Sequence, residues 1–176
     1  MNNSRKVFLV TAVGLLALAG GLLVREIAQK PSAPPPETVP SAFEKPLATL
    51  KGDKTSLARW KGKVLVVNFW ATWCGPCRKE IPDFVRLQQS LGDQGLQFVG
   101  IAIDEADKVE AYVREVGINY PILIGELDAV ELARTLGNEL GALPYTVVFD
   151  RSGRVAAVEL GGTNEARLRP VLAKLL

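Results

Sequence analysis

The clearest pattern along the chain is the run Val64-Leu65-Val66-Val67-Asn68-Phe69-Trp70, β-branched or aromatic apart from Leu65 and one amide. Such a run predicts a buried central strand. The stretch that follows, Arg78 to Leu91, carries apolar residues at helical spacing, and Leu96 to Ile103 is a second buried strand. Asp107 to Val116 alternates charge with Val109, Tyr112, Val113 and Val116, a helix that Gly117 is placed to end. Tyr120 to Ile124 predicts a short strand, and Asp128 to Leu136 a helix closed by Gly137-Asn138. Tyr145 to Phe149 and Arg154 to Leu160 flank Asp150-Arg151-Ser152-Gly153, a hairpin turn. Asn164 is placed to cap a terminal helix running to Leu176. Ahead of all these, residues 47–50 and 55–57 predict a short hairpin around Lys51-Gly52-Asp53. Strand–helix alternation with one late hairpin implies an α/β fold, a mixed sheet covered by helices on both faces.

Before residue 42 the pattern changes. Residues 1–6 form a basic flank ending in Arg5-Lys6, and 7–24 are uncharged and apolar up to Arg25-Glu26. As a helix, 7–24 would rise about 27 Å, close to the roughly 30 Å hydrocarbon core of a bilayer. The segment is expected to be an N-terminal membrane anchor helix, with residues 1–6 cytoplasmic. Ala17-Leu18-Ala19 resembles a cleavage site, so a removed secretory signal is the alternative. Both readings export the rest of the chain. Residues 25–41 include Pro31, Pro34-Pro35-Pro36 and Pro40, and predict a stiff polyproline spacer. Residues 42–176 are left as the folded domain.

Composition removes several functions. The formal net charge is +2 with dispersed basic residues, which gives no footprint for nucleic acid. The sequence contains no His, so imidazole cannot serve as general base, ligand or pH switch. Acid–base work must fall to a carboxylate, a lysine or water.

The candidate chemistry lies in Trp73-Cys74-Gly75-Pro76-Cys77, which holds both cysteines of the chain. A strand that ends in Cys-x-x-Cys and opens a helix puts one sulfur at the helix N-terminus. Unpaired N–H groups and the helix dipole favour the thiolate there. A zinc site would need four ligands, which two cysteines and no His do not supply. A static bridge across so short a loop adds little stability. Capture of Cu(I) by the two thiolates remains a competing reading.

These residues, with the loop Gly141-Ala142-Leu143-Pro144-Tyr145-Thr146 and the hairpin from Val147 to Ala157, resemble the thioredoxin superfamily. Within it the chain resembles the exported, membrane-tethered TlpA/ResA-type thiol–disulfide oxidoreductases, over roughly residues 42–176 and including the leading hairpin. The resemblance implies a thioredoxin-like fold and a disulfide reductase of the cell envelope, on the periplasmic face of a bacterial inner membrane, or soluble there if the signal is cleaved. It suggests cytochrome c or copper-site maturation proteins as substrates, a membrane-embedded thiol donor of electrons, and a monomer. No cofactor or metal is implied beyond the Cys74–Cys77 pair itself. The family's copper carriers tend to add a His, which is missing here. A peroxiredoxin-like peroxidase would need Pro-x-x-x-Thr-x-x-Cys, whereas Phe69 to Cys74 lacks that proline and spaces Thr72 wrongly.

The same resemblance assigns roles. Cys74 is the attacking sulfur and Cys77 resolves the mixed disulfide. Gly75 keeps the approach open, Pro76 is tolerated in the first helical turn, and Gly-Pro between the cysteines implies a reducing bias. Pro144 is expected to be cis, bringing the Leu143 backbone beside the sulfurs, where a substrate strand adds. Thioredoxins proper carry Asp where this strand has Asn68, so Glu80, three residues after Cys77, is expected to supply the titrating acid, the alternative being a solvated helix carboxylate paired with Lys79 or a neighbour. Trp73 is expected to shield the sulfurs and meet partners, Trp70 to pack in the core, and Pro82 to kink its helix. Asp104-Glu105 are expected to form a solvated turn.

Overall fold

Strand β3 (Val64–Trp70) is buried at every position and carries the rest of the architecture. In the computed structural model, which describes residues 39–176, it pairs in parallel with β4 (Leu96–Ala102) and antiparallel with β6 (Tyr145–Phe149). With β1 (Leu47–Thr49), β2 (Lys54–Thr55), β5 (Ile122–Ile124) and β7 (Val155–Leu160), these strands form a mixed sheet in the order β2-β1-β5-β4-β3-β6-β7. The helices are α1 (Val39–Glu44), α2 (Gly75–Leu91), α3 (Ala106–Val116), α4 (Leu127–Thr135) and α5 (Glu165–Leu172). The membrane anchor and most of the spacer lie outside the described residues. Among the described residues no helix is long and apolar enough to cross a membrane.

The alternation of a strand sorts β3 between two cores. Val64, Val66 and Trp70 join Phe84 of α2, Phe98 of β4 and Leu168 of α5 on one face. Leu65, Val67 and Phe69 join Ile101, Leu132 and Phe149 on the other. Phe84 stacks on Phe98 with ring centroids 5.0 Å apart, and both rings are fully buried. Burying each such side chain stabilises the fold by about 1.5–3 kcal/mol. Trp70 lies across β4 where that strand has Gly100. A β-carbon there would fall 2.9 Å from the indole nitrogen and 2.6 Å from Ile122.

The predicted elements recur with shifted ends. Gly117 (φ 71°) closes α3 in the left-handed conformation, with its N–H on the Val113 carbonyl. Asn164 caps α5 by accepting from the Arg167 N–H. The terminal helix stops at Leu172 rather than Leu176, and its last residues finish in shorter turns. The predicted spacer yields its final residues to α1, whose Ala42 and Phe43 are buried, with Phe43 edge-on to Phe149 at 5.1 Å. Helix α2 runs unbroken through Pro82. At the end of the sheet away from the cysteines, the Arg151 guanidinium donates to the carbonyls of Gly62 (3.5 Å), Gln94 (3.0 Å) and Leu176 (3.1 Å).

Candidate active site

β3 ends at Trp70 and α2 begins at Gly75, so the cysteines fall where a parallel strand hands over to a helix. Cys74 is the N-cap of α2 and Cys77 lies in its first turn. Their sulfurs are joined (S–S 2.07 Å), and Cys74 Sγ also accepts the Cys77 N–H at 3.3 Å. Cys74 is 6% exposed and Cys77 is fully enclosed. Of the two cysteines, Cys74 is the one that retains surface exposure. Its sulfur sits at the positive end of a helix, which favours thiolate as the leaving or attacking form.

The buried stripe of α2 runs Cys77, Glu80, Ile81, Phe84, Leu87. Its i, i+3, i+4 spacing is that of a core-facing helix, so Glu80 places a carboxyl where the helix otherwise puts hydrocarbon. It is 2% exposed, not a solvated helix carboxylate. On β3 the alternation that turns Val66 and Trp70 toward α2 turns Asn68 the same way. Asn68 Nδ2 donates to Glu80 Oε1 at 2.8 Å and to Thr146 Oγ1 at 2.9 Å. The Thr163 N–H donates to Glu80 Oε2 at 2.9 Å. Burial raises the Glu80 pKa to about 7, although the bonds from Thr163 and Asn68 act against it. Asn68 Oδ1 and Thr163 Oγ1 are buried without a hydrogen-bond partner among the described residues. Each such orphan costs about 1–3 kcal/mol, so the surroundings of Glu80 are not optimised for stability.

The Leu143–Pro144 peptide is cis. β6 starts beside the end of β3 (Tyr145 opposite Phe69), which sets Pro144 next to the strand that delivers the cysteines. Leu143 packs against the core cluster that contains Cys74 and Cys77. The Pro144 carbonyl accepts the Gly161 N–H at 2.9 Å, and a β-carbon on the neighbouring Gly162 would lie 3.8 Å from Pro76. The cis-proline loop, the Gly161-Gly162 turn and the start of α2 thus gather at one end of the sheet. Gly75 faces open space. Trp73 is 70% exposed and Trp70 is buried, so Trp73, the residue before Cys74, presents a surface ring.

Three participants were not foreseen. Thr146 and Thr163 come from β6 and from the turn after β7; the glycine pair before Thr163 was the available signal. Asp104 was expected in a solvated turn. Instead its Oδ2 accepts from the Thr72 N–H (2.9 Å) and the Thr72 hydroxyl (2.5 Å), and its Oδ1 from the Glu105 N–H (2.8 Å). Burial pushes this carboxyl up, but the Thr72 and Glu105 bonds and nearby Lys108 outweigh it and hold it below the usual carboxylate range. Its place at the C-terminal end of a parallel strand was the clue, since sites gather at that end of such sheets. Among the described residues no group of three His, Cys, Asp or Glu stands ready to hold a metal ion.

A Cys-x-x-Cys pair capping a helix after a central strand, faced by a cis-proline loop, defines a thiol–disulfide oxidoreductase of thioredoxin fold. Comparison with known proteins agrees. The redoxin family model matches residues 34–176. The thiol-disulfide oxidoreductase ResA of Bacillus thuringiensis (strain Al Hakam) is 32% identical over 127 residues, 72% of this chain and 71% of that one. A thiol:disulfide interchange protein of Chlorobium tepidum TLS superposes with a TM-score of 0.65 at 35% identity, covering 74% of this chain and 91% of that one. A secreted thiol-disulfide isomerase of Corynebacterium glutamicum superposes with a TM-score of 0.68 at 26% identity, over 74% and 81% of the two chains. The chain belongs to the redoxin family, as a TlpA/ResA-type protein-disulfide oxidoreductase of the thioredoxin superfamily.

Proposed function

We propose that the protein works outside the cytoplasm as a disulfide reductase, with Cys74 as nucleophile, Cys77 as resolving thiol and Glu80 as the proton acceptor for Cys77. The observation that carries this reading is the pairing of a reachable Cys74 with an enclosed Cys77, on the helix face that also buries Glu80. The Cys74 thiolate attacks one sulfur of the substrate disulfide, that S–S bond breaks, and the departing substrate sulfur takes a proton from solvent. Cys77 passes its proton to the Glu80 carboxylate and attacks Cys74 Sγ. The mixed disulfide breaks, the second substrate thiolate leaves and is protonated, and two electrons have moved to the substrate. With a pKa of about 7, Glu80 is close to half-ionised at neutral pH, which suits a group that must accept and return a proton.

Trp73, Gly75, Pro76, Leu143 and Pro144 form the substrate-facing rim in this reading, with the Leu143 backbone offering a short strand edge. The substrates are envelope proteins of the cytochrome c or copper-site maturation class, and a membrane-embedded dithiol restores the reduced pair. Export rests on the apolar segment 7–24 and is supported by the likeness to a protein described as secreted. The chain acts as a monomer held by that segment, or released if it is cleaved.

The test is insulin reduction with dithiothreitol as electron source. Wild type accelerates precipitation of the insulin B chain and Cys74→Ser does not. Equal rates for the two would take the chemistry away from Cys74. A Cys77→Ala variant, unable to release what Cys74 captures, retains substrates from the cell envelope as mixed disulfides.

A further inference from the structure

The last rung between β3 and β4 is the Ile103 N–H on the Trp70 carbonyl at 2.9 Å. Beyond it the two strands part, one toward α2 and the other toward α3. The Thr72 N–H has no strand left to bond to, and the Asp104 carboxylate takes it. One carboxylate thereby joins the turn that leads into the cysteines to the residue that precedes α3, receiving Thr72 twice and Glu105 once. The turn itself is closed by the Cys74 N–H on the Ala71 carbonyl at 3.2 Å, with Thr72 and Trp73 at its middle. Trp73, 70% exposed, has little packing of its own to fix it. The main chain sets the direction in which its side chain leaves the turn, and that main chain is held at the adjacent residue.

We propose that Asp104 is a positioning residue for protein substrates: by clamping Thr72 it holds the Trp73–Cys74 turn in one shape, so that indole and sulfur are offered to a folded partner together. The proposal rests on the reading of Trp73 as a partner contact. Asp104 touches no reacting atom. A rigid turn lowers the ordering cost of docking, which matters for a large disulfide that meets both groups. It matters little for a small disulfide that needs only the sulfur. Charge-assisted bonds such as these are the stronger kind, so loss of the clamp is measurable.

The experiment uses the full-length chain with Asp104→Ala, Asp104→Asn, Thr72→Val and the Asp104→Ala/Thr72→Val double variant. Insulin reduction gives KM and kcat. The reduced enzyme's reaction with the small aromatic disulfide 5,5′-dithiobis(2-nitrobenzoate) reads the sulfur alone, and thermal unfolding reads the fold. Asp104→Ala is expected to raise KM for insulin by about tenfold, with kcat and the small-disulfide rate each within about twofold of wild type. The double variant should be no worse than Asp104→Ala, because both remove the same clamp. Asp104→Asn, of the same shape and able to accept only part of the set, should fall between; it carries the test if the alanine variant does not fold. An unchanged KM, or equal losses on insulin and on the small disulfide, would overturn the proposal while leaving the reductase reading intact. A wild-type chain inactive on insulin would overturn both.

Discussion

Asn68 and Glu80 are bound to each other inside the core, amide nitrogen to carboxylate oxygen at 2.8 Å, from the central strand and the helix it feeds. The amide cannot titrate, so it stabilises the ionised carboxyl without competing for its proton. Burial works the other way, and the balance places the Glu80 pKa at about 7. Two residues at core positions thus supply a neutral-pH acid in a chain without His.

A first prediction concerns stability and pH. The Glu80 pKa is raised on folding, from 4.5 to about 7, so between those values the native state holds a proton that the unfolded state has lost. Stability therefore falls as pH rises through this window, by about 3 kcal/mol in all, and is flat above it. Urea unfolding of the oxidised protein at pH 5 and pH 8 measures the difference. Glu80→Gln should largely abolish it; a slope that persists in that variant would assign the effect to another group.

Replacing the amide by an acid should retune the site. Asn68→Asp puts a second carboxyl against Glu80, and two such groups cannot both ionise easily. The pair is expected to titrate in two steps, the upper one about a unit or more above the wild-type midpoint. The pH profile of insulin reduction reads this directly. An unmoved midpoint would separate the rate from Glu80.

The two sulfurs should differ in reactivity. In the reduced protein, iodoacetamide is expected to modify Cys74 about tenfold or more faster than Cys77, because one is reachable at a helix N-terminus and the other is enclosed. Mass spectrometry of the alkylated peptides distinguishes them. Comparable rates would mean that Cys77 becomes exposed on reduction.

Arg151 supports the opposite end of the sheet. Arg151→Ala removes a charged donor from three carbonyls and is expected to cost about 1–2 kcal/mol of stability, with insulin reduction unchanged. Parallel denaturation and activity measurements check both halves.

Much of the site could be read along the chain because it is local. Cys74, Cys77 and Glu80 lie on the cap and first two turns, roughly, of one helix, and β3 announces itself by a run without charged residues. What escaped depends on contacts distant in sequence. Thr72 and Asp104 each lie two residues past the end of a different strand, and they meet because β3 and β4 run parallel in register, Trp70 beside Ala102. Thr163 reaches Glu80 through a turn whose position is set by β6 and β7. Helix α1 was hidden by Pro40, which suits a spacer but is equally acceptable in a first helical turn. The burial of Phe43 under the sheet decides between the two, and periodicity over so few residues cannot show it.

The crossing of Trp70 over Gly100 has a consequence for how this sequence can drift over generations. The indole and Ile122 together fill the space a side chain at position 100 would need, and Trp70 immediately precedes the loop that leads to the reactive sulfur. Neither position can change alone without a collision or a hole. Lineages descended from this chain should therefore keep the glycine, or replace it only where Trp70 and Ile122 change with it.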